Sequence, residues 1–168
     1  MTKLDDQLAG FHEYRARVYG WAYRVLQCHH DASDVTQEVF LRWWRAQGDV
    51  QKHPAHPLAW LRRVTVNLAI DWARSAARQR QPAGQSAQTE SPGQQAVRLE
   101  TCHQLAEALA ALTDRQRSVV VAKVFDGQTF VRIAQQMNLS ASSVKTHYIR
   151  ALTQLKSKLP QLGPGSNH

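Results

Sequence analysis

One stretch of this chain cannot contribute to a core, and it divides the rest in two. From Arg78 to Arg98 the sequence runs RQRQPAGQSAQTESPGQQAVR, with six Gln, two Gly and two Pro and almost nothing apolar. Such a segment buries too little surface to offset the entropy of ordering its backbone, so it reads as a flexible linker over 78–98. It separates residues 1–77 from residues 99–168, lengths at which small helical domains fold with modest stability. Both parts space apolar residues three and four apart, and neither alternates them as a strand would. The expectation is an all-α chain of two small helical domains joined by a flexible linker.

The C-terminal part has the more explicit punctuation. Leu99 to Leu112 reads as a helix with Leu105, Ala108, Leu109 and Leu112 on one side. Thr113 suits an N-cap, with Gln116 as its capping-box partner. The helix from Asp114 to Phe125 is expected to bury Val120, Val121, Val124 and Phe125. Gly127 suits a left-handed end to it. A short helix from Thr129 to Met137 would use Phe130, Ile133, Ala134 and Met137. Asn138 then fits a left-handed turn, and Ser140 caps a last helix running to about Leu159. Its stripe is Val144, Tyr148, Ala151, Leu152, Leu155 and Leu159. A short helix, a tight turn and a longer helix make a helix-turn-helix, whose second helix reads the major groove through its N-terminal half.

Charge supports that reading. The chain carries +8 overall with a pI of about 10.0, which favours a polyanion, either nucleic acid or an anionic membrane surface. Residues 99–168 hold eight basic and four acidic side chains, and no acid follows Asp126. An ordinary solvated face mixes both signs. The residues left off the apolar stripe of the last helix are Ser142, Ser143, Lys145, Thr146, His147, Ile149 and Arg150. Lys and Arg suit guanine edges or phosphates, Ser and Thr suit either, and Ile149 suits a thymine methyl.

In the N-terminal part, Phe11 to Gln27 reads as one helix. In DASDVTQEVFLRWWRAQ, Asp31 or Ser33 can cap a second helix running to about Gln47. Val35, Val39, Phe40, Trp43 and Trp44 cover one half of it. Asp31, Asp34, Glu38, Arg42 and Arg45 cover the other, acids before bases as the helix dipole favours. Three carboxylates on one face invite a metal or acid–base reading. The spacing supplies no companion His on that face, and a single exposed helix surface makes no pocket, so a docking face for a basic helix is the better use. Gly48 to His56 is a polar loop, and Pro57 opens a third helix. That helix packs Trp60, Leu61, Val64, Leu68 and Trp72. A second stripe on it carries Arg63, Asn67, Ile70 and Arg74, on which Asn67 is either a base-edge contact or a plain exposed polar residue.

Other classes fall away. There is no run of 18 apolar residues, so no spanning helix and no membrane insertion are expected. The opening MTKLDDQLAG has acids where a signal peptide has lysines. The expected location is the cytoplasm, with Cys28 and Cys102 as reduced thiols. Cys28, His29 and His30 are adjacent and cannot easily chelate one ion, so no metal or cofactor is expected. With no phosphate-binding Gly loop and no nucleophile–base pair, the chain is not expected to be an enzyme.

Taken in order, DVTQEVFLR, VNLAIDWAR, the polar linker and SSVKTHYIRAL make residues 11–159 resemble a bacterial extracytoplasmic-function sigma factor. The resemblance implies that 1–77 is sigma domain two and 99–168 is sigma domain four. It implies that Asp31, Asp34, Gln37, Glu38 and Leu41 dock on the β′ clamp helices of core RNA polymerase. Arg63, Asn67, Ile70 and Arg74 would serve the −10 element, Asn67 at a position that holds a flipped base. Ser142, Ser143, Lys145, Thr146, His147, Ile149 and Arg150 would face −35 promoter DNA, with domain four also resting on the β flap. The linker would thread toward the RNA exit path. Asn138 stands where Gly is usual in the family, and His147 replaces a frequent Arg. The SSVK run is similar to sigma factors of iron uptake, which implies an anti-sigma factor of the membrane-bound kind. A stand-alone helix-turn-helix regulator is the alternative, and it leaves the acidic face and the Asn67 stripe without a task.

Overall fold

The computed structural model describes residues 3–47, 55–79 and 91–159. Residues 80–90 of the expected linker and 48–54 of the expected loop lie outside the described residues. Among the described residues there are seven helices and no strand. They are α1 (Lys3–Leu26), α2 (His29–Gln47), α3 (Pro57–Gln79), α4 (Pro92–Ala110), α5 (Asp114–Val124), α6 (Phe130–Met137) and α7 (Ala141–Lys158). The chain forms two compact units, and the division falls inside α4, between Cys102 and His103.

In the first unit α1, α2 and α3 pack against one another. Their shared core holds Val18, Trp21, Val25, Val35, Val39, Leu61 and Val66. Buried Thr36 and Thr65 satisfy their hydroxyls on the carbonyls of Ala32 and Leu61, at 2.7 and 2.6 Å. Aromatic rings fill the seams: Phe11 meets Phe40 edge-on at 5.0 Å, and Trp43 meets Trp60 at 5.9 Å. Trp43 is buried and Trp44 and Trp60 are half-buried, but Trp72, expected in the core, is 39% exposed.

α1 ends in a left-handed Gln27, φ 51°. The Gln27 amide side chain donates to the carbonyls of Tyr23 and Arg24, both at 3.2 Å, which offsets the strain of a non-glycine residue there. So short a turn starts α2 at His29, not after a cap at Asp31 or Ser33 as expected. The Ala32 amide already bonds the Cys28 carbonyl at 3.0 Å, and the His29 ring stacks on Tyr23 at 4.6 Å.

α4 also starts early. Residues 91–98, expected to be linker, hold a capping pair and a helix: Ser91 and Gln94 exchange bonds at 3.1 and 3.4 Å, with Pro92 in the first turn. The Arg98 guanidinium donates to the Gln27 carbonyl at 3.2 Å, and the Cys102 thiol donates to the Leu26 carbonyl at 3.2 Å. The two carbonyls are orphans of the α1 C-terminus, so the first half of α4 satisfies them from a distant part of the sequence.

In the second unit the capping box of Thr113 and Gln116 is formed. Arg117 is partly buried and donates to the carbonyls of Leu109, Ala110 and Leu112 at 2.9, 3.3 and 3.1 Å, closing the end of α4 onto α5. α5 buries Val119, Val120, Val121 and Ala122, whereas Val124 is 57% exposed. Val119, Ala122, Ile133, Ala134 and Val144 form the core, with Phe130, Met137, Leu139 and Tyr148 against it. Gly127 takes φ 62° and Asn138 φ 53°, ψ 46°. Thr129 caps α6 and Ser140 caps α7 through the amides of Arg132 and Ser143. α6 and α7 therefore form the expected helix-turn-helix.

Candidate nucleic-acid interface

On α7 the turn chemistry decides what is presented. Val144 and Ala151 point into the core and are fully buried, which fixes the helix rotation. At 100° per residue, Ser142, Lys145, Thr146, Ile149 and Arg150 then share one arc of about 140°, and all five are exposed. Ser143 and His147 flank that arc and are half-buried. Thr146 Oγ1 already donates to the Ser142 carbonyl at 3.0 Å, so its remaining hydrogen-bonding capacity is that of an acceptor. Ile149, 53% exposed, lies between Lys145 and Arg150. The face has two cations, two hydroxyls, one methyl-rich side chain and no acid, which is the chemistry of a groove-edge and phosphate contact.

The acidic face of α2 is formed as a surface. His30, Asp31, Asp34, Gln37, Glu38 and Leu41 fall within an arc of about 120°. Gln37 and Leu41 are exposed and the three acids half-buried. Glu38 accepts from Arg42 at 3.0 Å. His30 Nδ1 lies 3.3 Å from Asp34 and 3.8 Å from Asp31, contacts that are ionic only with the imidazole protonated. A histidine therefore does accompany the carboxylates, against the sequence expectation; the signal was its place four residues before Asp34. These three could offer one ligand atom each to a cation. Their side chains are open to water, and the contacts among them are those of an ordinary helical ion pair. Leu41, 46% exposed amid the acids, gives the face an apolar anchor.

The α3 stripe is only partly a surface. Arg63 is exposed and Asn67 and Arg74 are half-buried, so all three reach its outer side. Ile70 is 3% exposed and belongs to the core. It stands at the edge of the buried arc that Val66 and Ala73 define, so its helical spacing matches the stripe while its side chain does not. Sequence reasoning also missed an open groove of about 640 Å³ between α1 and α2, lined by Phe11, Arg15, Tyr19, Thr36, Gln37 and Phe40. Nothing in single-helix periodicity marks a groove that two helices make together.

No described helix is long and apolar enough to cross a membrane. Residues 11–79 match the family Sigma-70 region 2, and residues 102–155 match Sigma-70, region 4. The ECF RNA polymerase sigma factor SigK of Mycobacterium sp. (strain KMS) is 26% identical over 162 residues, covering 93% of this chain and 84% of that protein. A protein of Xanthomonas campestris pv. campestris named "Probable RNA polymerase sigma factor RfaY" is 32% identical over 139 residues. That match covers 77% of this chain and spans 34% of its length. The sigma factor RpoE from Bartonella quintana, solved in complex with the anti-sigma factor NepR, aligns at a TM-score of 0.48 and 18% identity, covering 94% of this chain and 99% of that one.

Proposed function

Since the chain belongs to the extracytoplasmic-function sigma factors, carrying sigma-70 regions 2 and 4 in order, we propose that its two exposed polar faces and one acidic face divide the work of promoter selection. As an alternative sigma factor it binds core RNA polymerase and directs promoter-specific initiation. The bond-making belongs to the polymerase, so the sigma subunit needs binding surfaces rather than a catalytic site.

The acidic face of α2, through Asp31, Asp34, Gln37, Glu38 and Leu41, docks on the basic clamp helices of β′. Arg63, Asn67 and Arg74 on α3 serve the −10 element. Extracting a base from the stack costs a few kcal/mol, and Asn67 supplies hydrogen bonds that repay part of it. The exposed arc of α7 reads the −35 element, with Ser143 and His147 at its margin. The second unit also rests on the β flap. Residues 1–77 and 99–168 act as sigma domains two and four, and residues 78–98 as the connection between them, in the cytoplasm where polymerase and promoter meet.

The observation that carries this reading is the presence of both regions on one chain. A stand-alone helix-turn-helix regulator has no use for region 2 or for its acidic face. Supply of an anti-sigma factor, of the membrane-bound kind if the SSVK run marks an iron-uptake sigma factor, is the remaining part of the proposal. Run-off transcription with core polymerase and a library of genomic promoters tests the whole. A sequence-dependent transcript appearing only with the protein present is expected; its absence from every promoter would sink the reading.

A further inference from the structure

The two cysteines of the chain have no part in promoter selection, yet the fold brings them to one place. Cys28 is the last residue before α2, and Cys102 lies 74 positions later on α4. The Cys102 thiol sits 3.2 Å from the carbonyl of Leu26, two residues before Cys28. Neither sulfur is in a disulfide, and both cysteines are buried, at 7% and 5% exposure. Cys28 and Asp31 are both near enough to raise the Cys102 pKa electrostatically, and Arg98 near enough to lower it. Hydrogen bonds from Arg98 and Cys102 to the end of α1 are among the contacts that hold residues 92–102 there.

We propose that Cys28 and Cys102 are an oxidisable thiol pair, closed by a peroxide into a disulfide that pins the first half of α4 to the α1–α2 turn and stops promoter recognition. The step balances. The Cys28 thiolate attacks hydrogen peroxide, giving a sulfenic acid and, after proton transfer, one water. The Cys102 sulfur then displaces the sulfenic hydroxyl, which leaves with the Cys102 proton as a second water. Two thiols lose two electrons and peroxide gains them. Burial holds the Cys102 thiol protonated, with its pKa pushed up to about 11, so that thiol resists mild oxidants at rest and serves as the resolving partner. Loosening of this end of α4 from α1 admits the oxidant.

The consequence follows from reach, and it rests on the promoter-reading role proposed above. Elements near −10 and −35 lie about 25 base pairs apart, roughly 85 Å along the duplex. The chain from the end of α3 to Cys102 spans at most about 75–85 Å when extended. A disulfide holds the Cα atoms of its two cysteines within about 7 Å. The residue after Cys102 then starts beside the α1–α2 turn, and the stretch needed to separate the two DNA readers is lost.

The test uses the full-length wild-type protein, treated with hydrogen peroxide and read by intact mass under denaturing, non-reducing conditions. With only two cysteines, an intramolecular disulfide can have one pairing. A mass loss of two hydrogens, with cross-linked peptides containing Cys28 and Cys102, supports the pair. Run-off transcription should fall to background on oxidation and return with dithiothreitol. Cys28→Ala and Cys102→Ala proteins, checked for native helicity, should keep transcribing after peroxide. Wild-type protein that stays reduced, or over-oxidises to sulfinic acid without a cross-link, overturns the proposal. So does a disulfide that leaves transcription unchanged. Reduced protein that never transcribes would count against the sigma reading, and the mass measurement would still decide the thiol pair.

Discussion

The rings of Phe130 and Tyr148 meet edge to face, centroids 5.4 Å apart and inclined at 60°. This is the contact that sets α6 against the middle of α7, with the Lys123 ammonium 4.9 Å over the Phe130 ring. Edge-on pairs contribute about 0.5–1.5 kcal/mol beyond the area they bury. Tyr148→Ala should therefore lower the stability of the second unit by about 2–3 kcal/mol. Tyr148→Phe keeps the ring and should stay within about 1 kcal/mol. Denaturant unfolding of the full chain, followed by circular dichroism, separates the two.

The turn ahead of α7 gives a second prediction. Asn138 is left-handed, φ 53° and ψ 46°, and its amide and that of Leu139 both bond the Ala134 carbonyl. Asn tolerates this conformation and a β-branched residue does not. Asn138→Gly, the usual family residue, should be neutral or slightly stabilising. Asn138→Val should cost about 1–2 kcal/mol. Equal melting temperatures for the two would remove the turn from the account.

Both outcomes bear on what sequence alone reveals. Thr113 with Gln116, Gly127, Asn138 and Ser140 were legible because capping and left-handed turns depend on one or two side chains and their own backbone. The same local reasoning failed at Asp31 and Ser33. The start of α2 is decided by Gln27 and Cys28, and by a His29–Tyr23 stack formed across the turn. It failed again for residues 91–98, whose polar composition hid a helix that finds its partners on α1. Ile70 and Trp72 show the limit of periodicity. A 100° step assigns residues to a face but cannot fix where the buried arc ends, so one moved inward and the other outward. Distant contacts such as Cys102 with Leu26 leave no mark in the local pattern.

Docking on the acidic face makes a charge-reversal prediction. Asp34 is half-buried on the outside of α2, paired with exposed His30, so Asp34→Arg should leave the fold intact. Placing like charges together at an interface costs several kcal/mol. Affinity for core polymerase should therefore fall about tenfold or more, as each 1.4 kcal/mol is tenfold. Fluorescence titration with labelled protein measures it, and unchanged affinity counts against this face.

Alkali should weaken the protein through one identifiable group. The Cys102 pKa is raised from 9.0 to about 11, by burial first. A raised folded-state value means the native protein holds the proton more tightly than the unfolded chain. That stabilisation is complete below about pH 9 and is lost as pH rises toward 11. Two pKa units correspond to about 2–3 kcal/mol at most. Under reducing conditions, a Cys102→Ala protein should show a correspondingly flatter loss of stability between pH 8.5 and 11, a window chosen to bracket about two pKa units. Identical slopes would mean that Cys102 ionises in the folded state as freely as in the unfolded one.

Arg150 separates base reading from backbone binding. It is exposed on the arc of α7 that also carries Lys145, Thr146 and Ile149. A guanidinium holding a guanine edge through two bonds contributes about 1–3 kcal/mol of discrimination. Arg150→Ala should then lose that much preference between the cognate −35 element and one changed at a single guanine, with little loss on the altered sequence. A guanidinium on phosphate behaves otherwise: binding weakens evenly on both sequences, and the salt slope drops by about one. Lys156, on the last turn of α7, is the internal control. Lys156→Ala should change neither the discrimination nor the salt slope. The comparison is made by titrating polymerase holoenzyme onto both promoters at several salt concentrations. A uniform loss for Arg150→Ala would reassign it to the backbone and leave Lys145 and Ile149 to carry the sequence choice.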